Sequence, residues 1–390
     1  MRVSRCMAVL LMALAACLLL GATGFAAKAK APTGAPYVIG AIFSITGDAS
    51  SLGIPERNTA QMLEKQINAA GGINGHPLRI IIEDDRGDNA EALNAAMRLV
   101  ERDNVLAIIG PSRTGTTLAL VSYMERKEVP LISCAAAIQI VEPVKKWVFK
   151  TPQSDRMAVQ KLIPYLKQKR IRRVATLSDN TPFGKGGLEE MEKLLPAAGI
   201  AIVAKEEYGP KDASMESQLT KIRGTEAQAV ICWGTPPGPA IVAKNMKQLG
   251  MKIPLICSHG VANATFLSVA GDAANGVVLP AGRLIVWNQI SKSDPQRPVL
   301  ERYAKAYQAQ FGKPADTFGG HAWDAVQLLA KVLRKTGPDR AKIRTAIEQT
   351  KGFVGTGGIF NFSRTDHNGL SKYAFVLVEV KDGKWKLLSE

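Results

Sequence analysis

Short apolar runs alternate with longer amphipathic segments over most of this sequence. The alternation predicts strands at 37–43, 78–83, 105–109, 130–133, 173–177, 200–206, 229–232 and 254–257. Between them it predicts helices at 55–70, 90–102, 116–127, 156–168, 185–197, 215–223 and 240–249. Because parallel strands need a crossover that is usually a helix, the two series predict an α/β fold with two doubly wound parallel-sheet lobes.

The last hundred residues break this alternation. Three helical stretches at 294–310, 323–335 and 341–350 are followed by two strand-like runs at 358–362 and 373–380. Together they are too little for a third domain with its own core. We therefore expect the chain to return to the first lobe and then to the second.

The first 27 residues have the layout of a secretory signal. A basic start is followed by an apolar run at 7–20 and by the small residues of Gly24-Phe25-Ala26. Leu14–Cys17 also resembles a lipobox, so lipid anchoring at Cys17 stays open, although soluble export is favoured. Export makes nucleic acid a poor partner in spite of the net charge of +16.

Signatures of enzymes and metal sites are missing from the sequence. Gly110–Thr117 has the glycine spacing of a phosphate loop but lacks its lysine, and the other common catalytic motifs are also missing. The three cysteines after the signal are widely spaced, which predicts buried thiols and neither a disulfide framework nor a metal cluster. No catalytic residue, cofactor or metal is therefore predicted, although a triad assembled in space would escape this reading.

Polar and small residues follow two of the predicted strands, where ligands of parallel sheets bind. Ser112 and Thr114 lie between a strand and a helix, and the free N–H groups of such a helix start attract anions. The alternative is an ordinary cap of the helix by one of these hydroxyls. Cys134–Ala137 follows the next strand, and its small side chains leave backbone groups accessible or simply allow a tight turn.

An ordered set of segments resembles the branched-chain amino-acid binding protein family. These segments are "INAAGGINGHPLRIIIEDDRGD", "AIIGPSRTGTT", "VPLISCAAA" and "SHGVAN". The family contains extracytoplasmic solute receptors of ABC transporters with the type I periplasmic-binding fold. The resemblance implies a three-crossing hinge, with lobe 1 at 36–152 plus 283–364 and lobe 2 at 153–282 plus 365–390. It also implies a small-molecule carboxylate ligand, an inner-membrane ABC permease as partner, a periplasmic location and a monomer.

The resemblance also implies which residues contact the ligand. Thr114, with its neighbours, matches the turn that holds the ligand carboxylate in the family, and the next loop offers backbone groups of Ala135. The hydroxyl that the family has two residues later is missing, because Ala137 stands there. The full predicted ligand-binding set is Leu52, Ser112, Arg113, Thr114, Ala135, Ala137, Phe183, Thr235, His259 and Phe318.

His259 is the largest departure from the family pattern. Family receptors for amino acids place an acidic residue here to pair with the ligand ammonium, and an imidazole is a poor substitute. We therefore expect a ligand without an α-ammonium, with an aromatic or 2-oxo organic acid favoured. The alternatives are an amino-acid receptor that uses His259 and water, a sensor ectodomain and an exported hydrolase.

The histidines also carry structural alternatives. His259 could instead cap a helix at 261–269 or simply pack. His321 is expected to approach the hinge or the cleft, whereas His367 is expected in a surface turn.

Overall fold

Fourteen strands form two large sheets and one small ladder in this computed structural model, which describes residues 31–389. The predicted signal at 1–27, including Cys17, lies outside the described residues. The strands of the first lobe are β1 (Tyr37–Phe43), β2 (Leu78–Asp84), β3 (Ile108–Ile109), β4 (Leu131–Ser133) and β5 (Val148–Lys150). They form a sheet of order β2-β1-β3-β4-β5 in which every pair is parallel.

The second sheet is parallel except at one edge. Its first strands are β6 (Arg173–Asp179), β7 (Ala201–Tyr208), β8 (Ala229–Trp233), β9 (Leu255–Cys257) and β10 (Val278–Gly282). After a two-stranded ladder of β11 (Phe353–Val354) and β12 (Ile359–Phe360), the sheet is completed by β13 (Phe375–Lys381) and β14 (Lys384–Ser389). The order is β14-β13-β10-β9-β8-β6-β7, and β13 pairs antiparallel with both neighbours.

Eleven α-helices are present in the described part of the chain. They are α1 (Ser50–Ala69), α2 (Asn89–Met97), α3 (Thr114–Lys127), α4 (Asp155–Gln168), α5 (Pro182–Ala197), α6 (Glu216–Arg223), α7 (Gly238–Gln248), α8 (Ala264–Ala270), α9 (Arg297–Phe311), α10 (Thr317–Thr336) and α11 (Arg340–Glu348). Within residues 31–389, none of the helices is both long and apolar enough to cross a bilayer.

The buried strands have the composition expected of sheets covered on both faces. All five residues of β8 are fully buried, and the thiols of Cys134, Cys232 and Cys257 are buried and free, as predicted. The prediction for His367 was wrong. Its ring is buried, stacks on Phe149 at a centroid distance of 4.1 Å and has Nδ1 2.9 Å from the Val148 carbonyl oxygen.

The chain passes between the two sheets three times, after β5, after β10 and before β13. Helices α9 and α10 return to the first lobe, where Tyr303 Oη of α9 lies 2.7 Å from Thr59 Oγ1 of α1. This two-lobed α/β arrangement with a three-crossing hinge confirms the predicted fold class. The boundary residues at 152, 282 and 364 stay predictions.

Candidate functional site

A cavity of about 350 Å³ lies where the carboxyl edges of the two sheets face each other. Its volume is in the range of ~300–1,000 Å³ that is usual for small-molecule pockets. We call it the cleft cavity. Nine predicted residues line it, namely Leu52, Ser112, Arg113, Thr114, Ala135, Phe183, Thr235, His259 and Phe318. The tenth, Ala137, is fully buried but does not line the cavity.

The start of helix α3 provides a hydroxyl that is free to bind a ligand. Thr114 is 3% exposed, and its Oγ1 has no hydrogen-bond partner among the described residues. No side chain caps α3, so the capping alternative for Ser112 and Thr114 is wrong. A buried hydroxyl and the unpaired N–H groups of a helix start together suit an anionic ligand group.

Ser112 has a structural role at the same loop. Its Oγ donates to the Glu56 carboxylate and accepts the Ser44 N–H at 3.0 Å. These bonds tie the loop after β3 to the loop after β1 and to helix α1. The two neighbouring hydroxyls are therefore in different situations, since Ser112 is bonded within the protein and Thr114 is not.

Arg113 is the cationic residue of the described cavity lining. Its Nη1 lies 3.2 Å from Asp48 Oδ1, and its side chain is 21% exposed. Burial raises the pKa of Asp179 across the cleft, and the charge of Arg113 is one of the smaller effects that oppose this rise. Arg113 therefore lies at the meeting point of the two lobes.

Ala135 has fewer free backbone groups for a ligand than the resemblance implied. Its N–H already donates to Ser133 Oγ at 3.0 Å, so the group it can add to a ligand is its carbonyl. A carbonyl accepts hydrogen bonds and cannot hold a carboxylate. This bond makes Thr114 and the start of α3 better suited than Ala135 to hold a ligand carboxylate.

His259 is held in the cavity wall by aromatic rings. The centroid of its imidazole lies 5.5 Å from Phe183, 5.8 Å from Trp233 and 5.3 Å from Phe375, all in edge-to-face geometry. The side chain is packed, yet neither ring nitrogen has a hydrogen-bond partner among the described residues. Burial, with a smaller effect of the nearby Lys150 charge, lowers the pKa of His259 to about 3, so the imidazole is neutral.

His259 does not cap the following helix. Helix α8 begins at Ala264, and the Asn263 side chain caps it by accepting the Phe266 N–H at 3.0 Å. The capping alternative for His259 was therefore wrong, whereas packing and contact with the cavity occur together.

Two buried ionisable residues lie close to His259. Asp155 Oδ1 is 4.0 Å from His259 Nε2, and Lys150 Nζ donates to the Pro152 carbonyl at 2.9 Å. Burial raises the pKa of Asp155 and lowers that of Lys150, so burial favours the neutral form of each. Neither residue lines the cleft cavity.

Sequence reasoning missed several residues of the cavity. The loop of Asn180 and Thr181 directly follows β6, so a correct end for that strand would have indicated it. Hinge residues also contribute, and the sequence did not predict β5 or β10, the strands that three of them adjoin. Pro152 and Gln153 follow β5, Gly282 ends β10, and Phe375 begins β13. His321, expected near the hinge or cleft, lines the cavity from α10.

The model of one protein family matches nearly the whole described chain. The family is described as "Periplasmic binding protein", and it matches residues 36–384. Its members are solute-binding proteins of transporters and not enzymes. Membership also implies an extracytoplasmic location.

Named relatives point in the same direction. The chain is 26% identical to a leucine-, isoleucine-, valine-, threonine- and alanine-binding protein of Pseudomonas aeruginosa, over 86% of this chain and 87% of the relative. It is also 26% identical to a Leu/Ile/Val-binding protein of Rhizobium johnstonii, over 94% of this chain and 97% of the relative.

Solved structures share the fold. An extracellular ligand-binding receptor from Rhodopseudomonas palustris is 26% identical and superimposes with a TM-score of 0.86, covering 91% of this chain and 100% of the other. A branched-chain amino acid transporter substrate-binding protein from Streptococcus pneumoniae, solved with isoleucine, has 24% identity and a TM-score of 0.81 with the same coverage. The matched family model and the two-lobed architecture together place this chain in the periplasmic binding protein family, with the type I fold.

Proposed function

We propose that this protein is the extracytoplasmic receptor of an ABC importer and binds a small carboxylate that lacks an α-ammonium. An aromatic or 2-oxo organic acid is the favoured ligand. The observation that carries the proposal is the neutral, buried imidazole of His259 in a cavity with almost no acidic lining. The ligand class goes beyond what the relatives' names describe, since those relatives are named for amino acids.

The carboxylate is assigned to the first lobe. Thr114 Oγ1 is buried without a partner, and it stands at the N-terminus of the 14-residue helix α3. The partial positive charge of a helix start favours an anion there. Arg113 adds a positive charge beside this position, although Asp48 partly neutralises it.

The cavity has little to offer an ammonium group. Asp88 is the only carboxylate among the described lining residues, and its Oδ1 already caps α2 by accepting the N–H groups of Ala90 and Glu91. The neutral imidazole of His259 gives at most one acceptor and no charge. Burying an ammonium without a charged partner costs several kcal/mol, which favours a ligand that lacks one.

Binding is coupled to closure of the two lobes. The two lobes already approach each other, since Gln139 Nε2 donates to Glu189 Oε2 at 2.9 Å and a methyl group on Gly115 would lie 3.6 Å from Pro182 Cγ. A ligand that touches both lobes favours the closed form because it binds the two forms unequally. The closed monomer is then the form that the membrane permease recognises.

A second candidate is a receptor for a branched-chain or other amino acid. The carbonyl of Ala135 favours it, because that group accepts hydrogen bonds and its own N–H is engaged with Ser133. The named relatives also favour it. This candidate requires water or a neutral imidazole to take the place of a charged partner.

A thermal-shift panel tests the ligand class. The mature protein is heated with branched-chain amino acids, with their 2-oxo analogues and with benzoate- or phenylpropenoate-type acids. A ligand at about 100 times its Kd stabilises by about 2.7 kcal/mol, so micromolar ligands are readily seen. We expect shifts from ammonium-free acids, whereas shifts from leucine or valine alone would establish the second candidate.

The variant His259→Glu tests the residue that carries the proposal. A buried carboxylate in this wall would repel an organic acid and could pair with an ammonium. We therefore expect the variant to lose acid binding. Preserved binding of an aromatic acid would show that His259 does not contact the ligand.

A further inference from the structure

Two buried imidazoles line the cleft cavity, one from each lobe. His259 follows β9 of the second sheet and is 8% exposed, whereas His321 lies in α10 of the first lobe and is 6% exposed. Both nitrogens of His259 and Nδ1 of His321 lack hydrogen-bond partners among the described residues. Buried polar groups are nearly always paired in folded proteins, so three unpaired ring nitrogens in the lining of one cavity point to a ligand group.

Ring packing orients both imidazoles without using their nitrogens. His259 is surrounded by aromatic rings, and the His321 ring lies 6.2 Å from Phe318 in edge-to-face geometry. His321 is also held through its backbone, because its carbonyl oxygen accepts a hydrogen bond from Thr151 Oγ1 at 3.0 Å. The side chains are therefore held in place while their polar atoms stay available.

His321 lies at the hinge side of the cavity. The residues near it in the wall include Gln153 and Gly282, which belong to the first and second crossings. Thr114, which we assign to the ligand carboxylate, belongs instead to the loop after β3. The unpaired imidazoles are thus positioned by different elements from the carboxylate site.

Both imidazoles are uncharged at neutral pH. Burial, with a smaller contribution from the nearby charge of Lys150, lowers the pKa of each to about 3. A neutral imidazole carries one N–H donor and one acceptor nitrogen. Two such rings can therefore donate a hydrogen bond to a hydroxyl oxygen and accept one from its hydrogen, whereas an ammonium could use only their acceptor nitrogens.

We propose that His259 and His321 form a hydroxyl-binding subsite, so that the ligand is a small organic acid carrying a hydroxyl group remote from its carboxylate. This proposal rests on the proposed function, because it takes the carboxylate to bind at Thr114. It narrows the ligand class from an organic acid to a hydroxylated one. It also gives His321 a role in specificity.

The test compares acids that differ only in the hydroxyl. The probes are 3-phenylpropanoate and its 3-hydroxyphenyl and 4-hydroxyphenyl derivatives, titrated calorimetrically into the mature protein. We expect one hydroxylated acid to bind at least about tenfold more tightly than the parent acid. In His321→Phe and His259→Phe, which keep an aromatic ring, the preference should fall to within about threefold while the parent acid still binds.

Three further variants complete the test. His321→Gln restores one hydrogen-bonding group and should recover part of the preference, which a purely structural role would not do. His76→Phe, at a histidine outside the cavity, should leave the preference unchanged. Thr114→Val should weaken hydroxylated and parent acids alike.

Different outcomes overturn the two proposals. Equal binding of hydroxylated and parent acids by the unaltered protein, or an unchanged preference in His321→Phe, overturns the subsite and leaves the proposed function standing. Binding of amino acids without binding of any of the three acids overturns the proposed function and the subsite together.

Discussion

Asp155 Oδ1 lies 4.0 Å from His259 Nε2, beyond hydrogen-bond distance, and both groups are buried. In the described part of the chain, neither side chain has a hydrogen-bond partner. The imidazole is therefore kept neutral by burial and is not charged by its acidic neighbour. The site therefore differs from one in which a carboxylate lines the cavity and faces the ligand, because here a neutral imidazole takes that place.

The neutral state of His259 predicts a pH dependence of stability. Its folded-state pKa of about 3 lies below the ordinary value of 6.5, so the native state binds fewer protons than the unfolded chain between these values. The stabilisation is fully present above pH 6.5 and is lost as the pH falls toward 3. His321 acts in the same direction, whereas the raised pKa of Asp155 acts in the opposite one.

The contribution of His259 to stability is measured as the difference in unfolding free energy between the unaltered protein and a variant. Urea unfolding of the unliganded protein and of His259→Gln is compared between about pH 7 and about pH 5. We expect the difference in unfolding free energy between the two to shrink on acidification, by on the order of 1 kcal/mol per pH unit at the acidic end. His76→Gln, which alters a histidine outside the cavity, is the control. A constant difference would mean that His259 titrates in the native state as it does in the unfolded chain, so that burial does not keep it neutral.

Removing the hydroxyl of Thr114 should affect mainly ligand affinity, whereas removing that of Ser112 should affect mainly stability. Thr114→Val removes a hydroxyl that has no partner in the protein, so stability should change little. Ligand affinity should fall by about 1.5–3 kcal/mol, or roughly 10- to 150-fold in Kd, because the bond is made to a charged group.

Ser112→Ala is the matched comparison. It removes the bonds to Ser44 and Glu56 and should lower the unfolding free energy by about 1–3 kcal/mol. Denaturant unfolding and calorimetric titration of both variants separate the two effects. If Thr114→Val binds the ligand as well as the unaltered protein does, the carboxylate is held elsewhere.

Gly260 limits the width of the cavity beside Phe183. A methyl group at this position would lie 2.9 Å from Phe183 Cε1 and 2.8 Å from the Gly234 carbonyl oxygen. Gly260→Ala should therefore push the aromatic ring and weaken the binding of ring-bearing acids by about 1–3 kcal/mol. Gly224→Ala is the control, since its nearest neighbour would be 3.4 Å away and it lies outside the cavity. Equal affinities for a phenyl acid in both variants would exclude Phe183 from the ligand contact.

Gly115 lets the two lobes approach. A Cβ atom there would lie 3.2 Å from Asn89 Oδ1 and 3.6 Å from Pro182 Cγ of the other lobe. Gly115→Val should act as a wedge that resists closure and lowers affinity. Ser122→Val, on the exposed side of the same helix, should have no such effect. X-ray scattering with saturating ligand checks this, because an unaltered decrease in radius of gyration in Gly115→Val would show that closure tolerates the wedge.

Strand ends were the part of the site that the sequence could predict. Thr114 and His259 follow buried apolar runs, and parallel sheets bring such positions to one edge. Gly282 was missed because β10, the strand that it ends, was not predicted, and Phe375 was missed because it begins β13, which pairs with β10 in antiparallel orientation. Asp382-Gly383, the turn between β13 and β14, is a dipeptide typical of hairpins and indicates that the two strands pair.

Helix α10 starts earlier than helix propensity indicated. The sequence predicted its start at 323, whereas it begins at Thr317 and is capped by Asp316. Gly319 and Gly320 lower helix propensity, but a methyl group on Gly319 would lie 2.2 Å from Tyr303 Oη. Close packing therefore requires the glycine, and the helix extends through the segment that brings His321 to the cavity.

Calorimetric titration of matched acids shows whether the binding site prefers a ligand without an α-ammonium. The pairs are leucine with its 2-oxo analogue and phenylalanine with 3-phenylpropanoate, so each pair differs at the amine position. The proposed ligand class requires that in at least one pair the ammonium-free acid binds at least about tenfold more tightly than the amino acid. Tighter binding of the amino acid in whichever pair binds would contradict it.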